Sequence, residues 1–475
     1  MSSENEFVRF ASPNERRPIC REELGIYHAV NVAGVYQFPQ GTSVASPRTF
    51  FHPLKQCIEA HPDLCVIIKD AHTEKPFFER VLVVDLEKHI TIVKDNVPSE
   101  EWIAIGNVLA ADLDKPFRPG IPPWRIVVLP WDESRCLVAF SYSHTIGDGP
   151  TGVIFHRTFL KACREVSRFA TPSPRMVDTT SRKLADPFDK PGRLPISWSY
   201  LLAPLIKLLF PRFLLGLLRL QDSLAEMTPG TWAGVPILKN PKGSHSRIKV
   251  REIEAAELKR VLNVVRQHDA KLTSTVHQLI ARAFDKVLNK PDINQFVSVT
   301  PIDMRRAISA SSDLMGNFIT ARYTTHPRPD SSLPFSEESW QQARSGTRNL
   351  AECAATLQDQ PIGLLRYVSK IHKWTSSKLG QDRDSSFEVS NIGVFDADAI
   401  QSDGDATRLV KIIFSQPGHV LAAPICFNFV SVKGGSLVYT VTWQVGALGV
   451  SGDDEDQFAE DICSALSAEF EKLAT

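Results

Sequence analysis

The chain has 475 residues, 43% of them hydrophobic and 23% charged, and its 54 Lys+Arg balance its 54 Asp+Glu to a formal net charge of zero. That length exceeds the roughly 250–300 residues one hydrophobic core usually supports, so two units are expected. The neutral balance and the lack of a dense basic run exclude the electrostatic footprint of a nucleic-acid binder and any global attraction to an anionic membrane.

The eight cysteines (Cys20, Cys57, Cys65, Cys136, Cys163, Cys353, Cys426 and Cys463) are scattered with no CxxC pair, and several sit inside apolar patterns. They read as buried free thiols in a reducing compartment. The start, "MSSENEFVRF", is polar and acidic, unlike a secretory signal. A cytoplasmic protein is the expectation.

In chain order, the first organised unit is "LKQCIEAHPDLCVIIK". Leu54, Cys57 and Ile58 follow helical spacing, His61-Pro62 ends that helix, and Leu64–Ile68 reads as a buried strand. "RIVVLP" and "CLVAFSYSH" read as two strands joined by the hairpin signal "WDES". After Gly149-Pro150 the apolar spacing of "TGVIFHRTFLKACREV" predicts a helix, and Pro150 suits its first turn because an N–H there has no intrahelical partner.

From about Thr171 the chain is rich in Pro, Ser and charge and reads as a linker. It leads into "ISWSYLLAPLIKLLFPRFLLGLLRL", which is strongly apolar but interrupted by Pro204 and Pro211 and by Lys207, Arg212 and Arg219. A membrane span needs about 20 apolar residues with few charges. The segment 195–220 is therefore expected to pack on the protein beside a greasy substrate entrance, with an interfacial membrane contact as the lesser alternative.

The second half begins near Thr231. Leu258, Val261, Leu262 and Val265 share one helical face, as do Val276, Leu279, Ile280, Ala283, Phe284, Val287 and Leu288. "QFVSVTPIDMRR", "SFEVSNIGVFD", "HVLAAPICFNFVSV" and "SLVYTVTW" read as strands, and "EDQFAEDICSALSAEFEKLA" as a closing amphipathic helix. Helices and strands mix in both halves, so the class is α/β or α+β in two lobes.

Phosphate-loop, dinucleotide-turn, HExxH and GxSxG patterns are all absent from the sequence. The residues left that carry chemistry lie in "SHTIGDG", where His144 ends an apolar strand and Asp148-Gly149 follows. Imidazole titrates near neutral pH and suits a general base. Asp148 has three readings: it orients His144, it braces the loop through an arginine, or it caps the next helix while Gly149 allows the turn. Metal ligation by His144, Asp148 and His156 matches no recognised ligand set, and no metal is expected.

"SHTIGDG" resembles the HxxxDG motif of the acyltransferase superfamily that includes chloramphenicol acetyltransferase, the plant BAHD enzymes, peptide-synthetase condensation domains and the fungal alcohol acetyltransferases. Further landmarks fall in the same order: "LKQCIEAHPDLCV", "LTSTVHQLIARAF", "TPIDMRR", "DLMGNFIT" and "VSNIGVFD", the last similar to the fungal branch. The resemblance spans roughly residues 17–470. Ser143 stands where condensation domains carry a second histidine, and no DFGWG is present, so those two branches are disfavoured.

The resemblance implies two chloramphenicol-acetyltransferase-like lobes with an active-site tunnel between them. The corresponding division is 1–170, a crossover at 171–230, and 231–475. It implies acyl transfer from acetyl-CoA, or another acyl-CoA, to a hydroxyl of a hydrophobic small molecule in fungal secondary metabolism. His144 would be the base, and Asp148 with Gly149 would shape its loop. Arg305, or alternatively Arg306, would pair with Asp148. Oxyanion donors are sought among Ser390, Asn391, Asn317 and Gln416. His156, His277 and His419 take surface or packing positions. A monomer with no resident cofactor and no nucleic-acid partner is expected. The alternatives are a condensation-type enzyme of the same fold (amide formation, carrier-protein release or ring formation) and a non-catalytic small-molecule-binding homologue.

Overall fold

A computed structural model describes residues 5–94, 99–165, 173–179, 182–190, 192–202, 227–241, 245–400, 406–452 and 454–475. The apolar segment expected to flank a substrate entrance lies outside the described residues from position 203 onward. Before it, Trp198 is 77% exposed while Tyr200 is buried. Among the described residues no helix is long and apolar enough to cross a membrane.

The first half runs β1 (Glu6–Phe10), α1 (Pro13–Glu23), β2 (Ala29–Gln37), α2 (Phe51–Ala60), β3 (Val66–Lys69), β4 (Phe77–Arg80), β5 (Val83–Asp85), β6 (Ile90–Ile92), α3 (Glu101–Leu113), β7 (Trp124–Pro130), β8 (Arg135–Ser143), α4 (Gly149–Glu165) and β9 (Met176–Asp178). The second runs β10 (Ser246–Ile253), α5 (Ala255–Gln267), α6 (Leu272–Val287), β11 (Gln295–Asp303), β12 (Ile319–Pro327), α7 (Glu337–Ala355), α8 (Ile371–Ser376), β13 (Phe387–Phe395), β14 (Arg408–Ser415), β15 (Ile425–Val432), β16 (Leu437–Gln444) and α9 (Glu455–Ala474).

Two large mixed sheets organise these elements, in the strand orders β14-β2-β8-β7-β6 and β10-β16-β15-β13-β11-β12. Period-two patterning explains how the first is buried on both faces. On β2 and β8, Val30, Val32, Tyr36, Val138, Phe140 and Tyr142 belong to the core under α2 and α4. The alternate residues Ala33, Val35, Leu137 and Ala139 face α3, which carries Ala104, Ile105 and Leu109. In the second sheet, β13, β15 and β16 pack their apolar residues on α5, α6 and α9.

β14 comes from the last third of the chain, yet it pairs antiparallel with β2, from Arg408 against Gln37 to Ser415 against Asn31. The residues of 231–475 therefore build one sheet and complete the other. All eight cysteines are free thiols; seven are buried and Cys353 is half-buried.

The helix that follows the HxxxDG stretch lies close on its sheet. A Cβ added at Gly152 of α4 would overlap the Val32 side chain on β2. Gly152→Ala is expected to cost about 1–3 kcal/mol by overpacking. Gly106→Ala on α3, where the added carbon meets only Val250 at 3.8 Å, should instead be neutral or gain up to about 1 kcal/mol of helix propensity. Denaturant midpoints of the two variants check this contrast.

Candidate active site

Strand β8 ends at Ser143, whose amide donates to the Pro123 carbonyl at 2.9 Å. The chain then turns: the Ile146 amide bonds the Ser143 carbonyl at 3.1 Å, and the Thr145 amide bonds Ser143 Oγ at 3.0 Å. His144 is thus the first residue off the strand, and α4 starts at Gly149 with Pro150 in its first turn.

Asp148 is fully buried. Arg305 grips its carboxylate bidentately, Nη1 donating to Oδ2 and Nη2 to Oδ1, each at 2.8 Å. The Phe318 amide adds a bond to Oδ2 at 2.9 Å, and Thr151 Oγ1 one to Oδ1 at 3.2 Å. The carboxylate is therefore spent on the turn between β11 and β12 and on a side chain of α4, not on capping that helix. Arg305 donates further to the Leu314 carbonyl at 2.8 Å and the Gly316 carbonyl at 3.1 Å. Burial works against its charge, but Asp148 and Asp303 outweigh that and raise the guanidinium's pKa above its ordinary value. Arg306 is exposed. Gly316, at φ +123, supplies the left-handed conformation of the "GN" turn, which glycine adopts most readily.

The next residue in that turn, Asn317, donates from Nδ2 to the His144 carbonyl at 2.8 Å. The base candidate is thus held from the second half of the chain at two adjacent points. His144 keeps partial exposure; its Nδ1 is buried with only the residue's own carbonyl as a near partner, and its Nε2 makes no hydrogen bond to a described residue. Burial lowers its pKa below the ordinary histidine value, with Arg17 and Arg21 adding to the effect, while its own carbonyl and Asp148 oppose it. Burial thus favours the neutral imidazole, the form able to accept a proton.

Of the four oxyanion candidates, three have committed amides. Gln416 Nε2 donates to Glu388 Oε1 at 2.7 Å and Asn428 Oδ1 at 2.8 Å. Asn391 Nδ2 donates to Thr273 Oγ1 at 3.1 Å, and Asn317 holds the His144 carbonyl as described. The Ser390 hydroxyl has no recorded partner among the described residues. Gly149 packs against Ile392 of the "SNIGVFD" strand, where a Cβ would clash. His156 is spent on packing, between Tyr36 Oη at 2.7 Å and the Val32 carbonyl at 2.8 Å. His277 Nε2 lies 3.0 Å from Thr300 Oγ1.

His419 is buried beside Tyr27. Its Nε2 lies 3.0 Å from Glu388 Oε2. Tyr27 stacks on it with ring centroids 5.6 Å apart and reaches His144 at 5.7 Å. Tyr27 Oη donates to Gln416 Oε1 at 3.0 Å. Burial pushes Glu388 upward, but His419, Gln416 and Arg17 outweigh it and hold its pKa low. Glu388, His419 and Cys426 place ligand-type atoms within 4.8 Å of one another; Glu388 Oε1 accepts from Gln416, while its Oε2 faces His419 Nε2 at ion-pair distance without a hydrogen bond. Sequence reading singled out none of Tyr27, Glu388, Arg17 or Arg21. The one available signal was a lone carboxylate inside the apolar strand "SFEVSN".

On the other side of the loop, Ser143 Oγ hydrogen-bonds Glu22 of α1. Burial raises the Glu22 pKa to about 7, against the opposing pull of Ser143 and Arg125. Glu22, with Ile19, His28, Phe117, Pro123 and Thr145, lines a cleft of about 270 Å³.

The alcohol acetyltransferase family model matches residues 108–468. A probable alcohol acetyltransferase, crmB, of Aspergillus fumigatus is 22% identical, the alignment covering 94% of this chain and 96% of that one. Among solved structures, the TRI3 trichothecene 15-O-acetyltransferase of Fusarium sporotrichioides aligns over 98% of both chains at a TM-score of 0.65 and 11% identity. The starter condensation domain of rhizomide synthetase, solved with C8-CoA, aligns over 98% of this chain and 95% of its own at a TM-score of 0.62 and 11% identity. At these identities the structural likeness is one of fold: two mixed α/β lobes.

Two outcomes follow for the loop. Arg305→Ala leaves Asp148 buried without its counter-ion, and urea unfolding should show a loss of about 3–5 kcal/mol, with Arg305→Lys in between. For Glu22, folding raises the pKa from the carboxylate value 4.5 to about 7. Its contribution to stability is therefore full below pH 4.5 and is lost as pH rises through about 7. Glu22→Gln should gain melting temperature relative to wild type across that interval and hold the gain at higher pH; a constant offset would contradict the assignment.

Proposed function

The chain belongs to the alcohol acetyltransferase family and is an acyltransferase, and from that premise we propose that it transfers acetyl from acetyl-CoA to a hydroxyl of a hydrophobic small molecule, in fungal secondary metabolism, with His144 as general base. The observation that carries this reading is the placement of His144. It is half-buried at the end of β8, its Nε2 makes no hydrogen bond to a described residue, and its loop is fixed by the Asp148–Arg305 pair.

A hydroxyl is a poor nucleophile at neutral pH, so a base within hydrogen-bond reach lowers the barrier. Nε2 takes the hydroxyl proton as the oxygen attacks the thioester carbonyl carbon. The carbonyl electrons move onto oxygen and then return as the C–S bond breaks. The CoA thiolate leaves, and the imidazolium returns the proton to it as free thiol. A lowered pKa serves both halves: the ring is unprotonated at the start and gives its proton up readily at the end. No covalent enzyme intermediate is required.

The oxyanion donor in this reading is Ser390. Its hydroxyl is uncommitted, and it shares a face of β13 with Glu388, two residues away, whose network borders Tyr27 and His144. Asp148 and Arg305 are positioning residues that fix where the His144 ring stands.

The test is release of free thiol from acetyl-CoA with a panel of apolar alcohols. His144→Ala should reduce kcat/KM by about 10²–10⁴, the usual worth of a positioned base. The acid limb of wild-type kcat/KM against pH should be centred below 6.5, the ordinary histidine value, and should vanish in the variant. Undiminished turnover by His144→Ala would refute the role.

A further inference from the structure

Strands β13 and β15 place two ligand-type side chains next to each other. Glu388 and Cys426 are register partners in the parallel pairing of these strands, so their side chains leave the sheet on one face. His419 reaches the same point from the segment between β14 and β15. The ligand-type atoms of all three lie within 4.8 Å of one another. All three residues are buried, Cys426 completely.

The contact between Glu388 and His419 has the distance of an ion pair but not the geometry of a hydrogen bond. His419 Nε2 stands 3.0 Å from Glu388 Oε2, yet it is buried without a hydrogen-bond partner. A donor and an acceptor that serve each other align the N–H with the oxygen. Two groups that aim lone pairs at one shared ion stand off that line instead, and bonds of about 2.0–2.1 Å to the ion put them roughly 3 Å apart.

The groups that would orient such ligands are in place. Gln416 Nε2 donates to the other carboxylate oxygen, Oε1, at 2.7 Å. The loop that carries His419 is fixed on both sides. The Gly418 amide donates to Ser246 Oγ at 2.9 Å, and Gly418 lies so close on β16 that a Cβ would overlap the main chain of Trp443 and Gln444. Arg383 Nη1 donates to the carbonyls of His419 at 3.2 Å and Val420 at 3.4 Å. Tyr27 covers one face of the imidazole by stacking.

We propose that Glu388, His419 and Cys426 form a binding site for a divalent, borderline-soft cation of the zinc class. Thiolate and imidazole select against magnesium and calcium, which take oxygen ligands. Carboxylate and thiolate together cancel the charge of a divalent ion, so the assembled site buries no net charge. Three protein ligands leave one tetrahedral position for water. The ion pins the segment on which the chain leaves the first sheet through β14 and enters the second through β15. It thereby also steadies Tyr27, which stacks on His419 and reaches His144.

The test has two readouts, and neither involves turnover, so failure of the acyl-transfer reading leaves both interpretable. Zinc content is measured on protein purified from zinc-supplemented growth, and chelator-treated protein is titrated with Co2+, whose thiolate-to-cobalt charge-transfer absorption reports the sulfur ligand directly. Wild type should bind one equivalent and show that absorption. Cys426→Ser should abolish it, and Cys353→Ser, which alters a thiol outside the site, should keep it. Gln416→Met removes the donor that orients the Glu388 carboxylate and should weaken cobalt binding by about 10–100-fold. Added Zn2+ should raise the melting temperature of chelator-treated wild type and leave that of Cys426→Ser unchanged. If wild type carries no zinc and takes up no cobalt, the three residues are only an ion pair beside a thiol and the proposal fails. Charge-transfer absorption that survives in Cys426→Ser, or Zn2+ that shifts both melting temperatures alike, would equally overturn it.

Discussion

The arrangement of the site depends on one buried ion pair, Asp148 with Arg305, which ties together residues 157 apart in sequence. Taking both charges out of water costs several kcal/mol each in effective terms, and their attraction offsets this only when the remaining lone pairs and protons are satisfied. Here they are. Asp148 also accepts the Phe318 amide and the Thr151 hydroxyl, and Arg305 also donates to Leu314, Gly316 and Asp303. The turn that supplies Gly316 and Phe318 also supplies Asn317, which holds the carbonyl of His144 itself. The position of the imidazole is therefore set by the hairpin of β11 and β12 as much as by β8. A shift of the two sheets relative to each other would have to break this cluster. The geometry of the candidate site is thereby coupled to the docking of one half of the chain on the other, a task for which packing of apolar surface alone is too permissive in direction.

How much of this is legible in sequence divides along physical lines. Local periodicity resolves the elements whose burial is one-sided or fully apolar. The helix after Gly149-Pro150, the paired helices α5 and α6, the hairpin of β7 and β8, and the strand "SLVYTVTW" all follow from spacing, because a period of 3.6 or 2.0 is written into consecutive residues. The strand expected from "HVLAAPICFNFVSV" is shorter, starting only at Ile425; Pro424 cannot donate to a ladder. Long-range pairing carries no such signature. "RLVKIIFS" alternates like a strand, but nothing in it says that its partner is β2, some 370 residues upstream, and not a neighbour in its own half. The same holds for the charges. Arg17 and Arg21 sit in "NERRPICREEL", a stretch dense in charges of both signs whose pairing is not written in its spacing. Only the fold reveals where its acids point: Glu15 to Arg9, Glu22 to Ser143, Glu23 towards His372.

The pairing of Asp148 with an arginine was reached through resemblance, not spacing, and the oxyanion candidates show the limit of that route. Asn391, Asn317 and Gln416 are all amides placed near the site by motif, and all three spend their donors on neighbouring groups. Residue type and motif position do not say whether a donor is free. That is decided by what the folded neighbours offer, and Ser390 stands out only once those bonds are drawn.

The same ion pair bears on the strength of the base. Burial pulls the His144 pKa down first, Arg17 and Arg21 act in the same direction, and Asp148 and the residue's own carbonyl oppose them. An unpaired carboxylate four residues away would favour the imidazolium strongly. Asp148 is gripped bidentately by Arg305, so much of its field at the ring is cancelled by the guanidinium that holds it. The pair that fixes the loop therefore also keeps Asp148 from turning the imidazole into a permanent cation, which links the geometry of the site to its proton affinity.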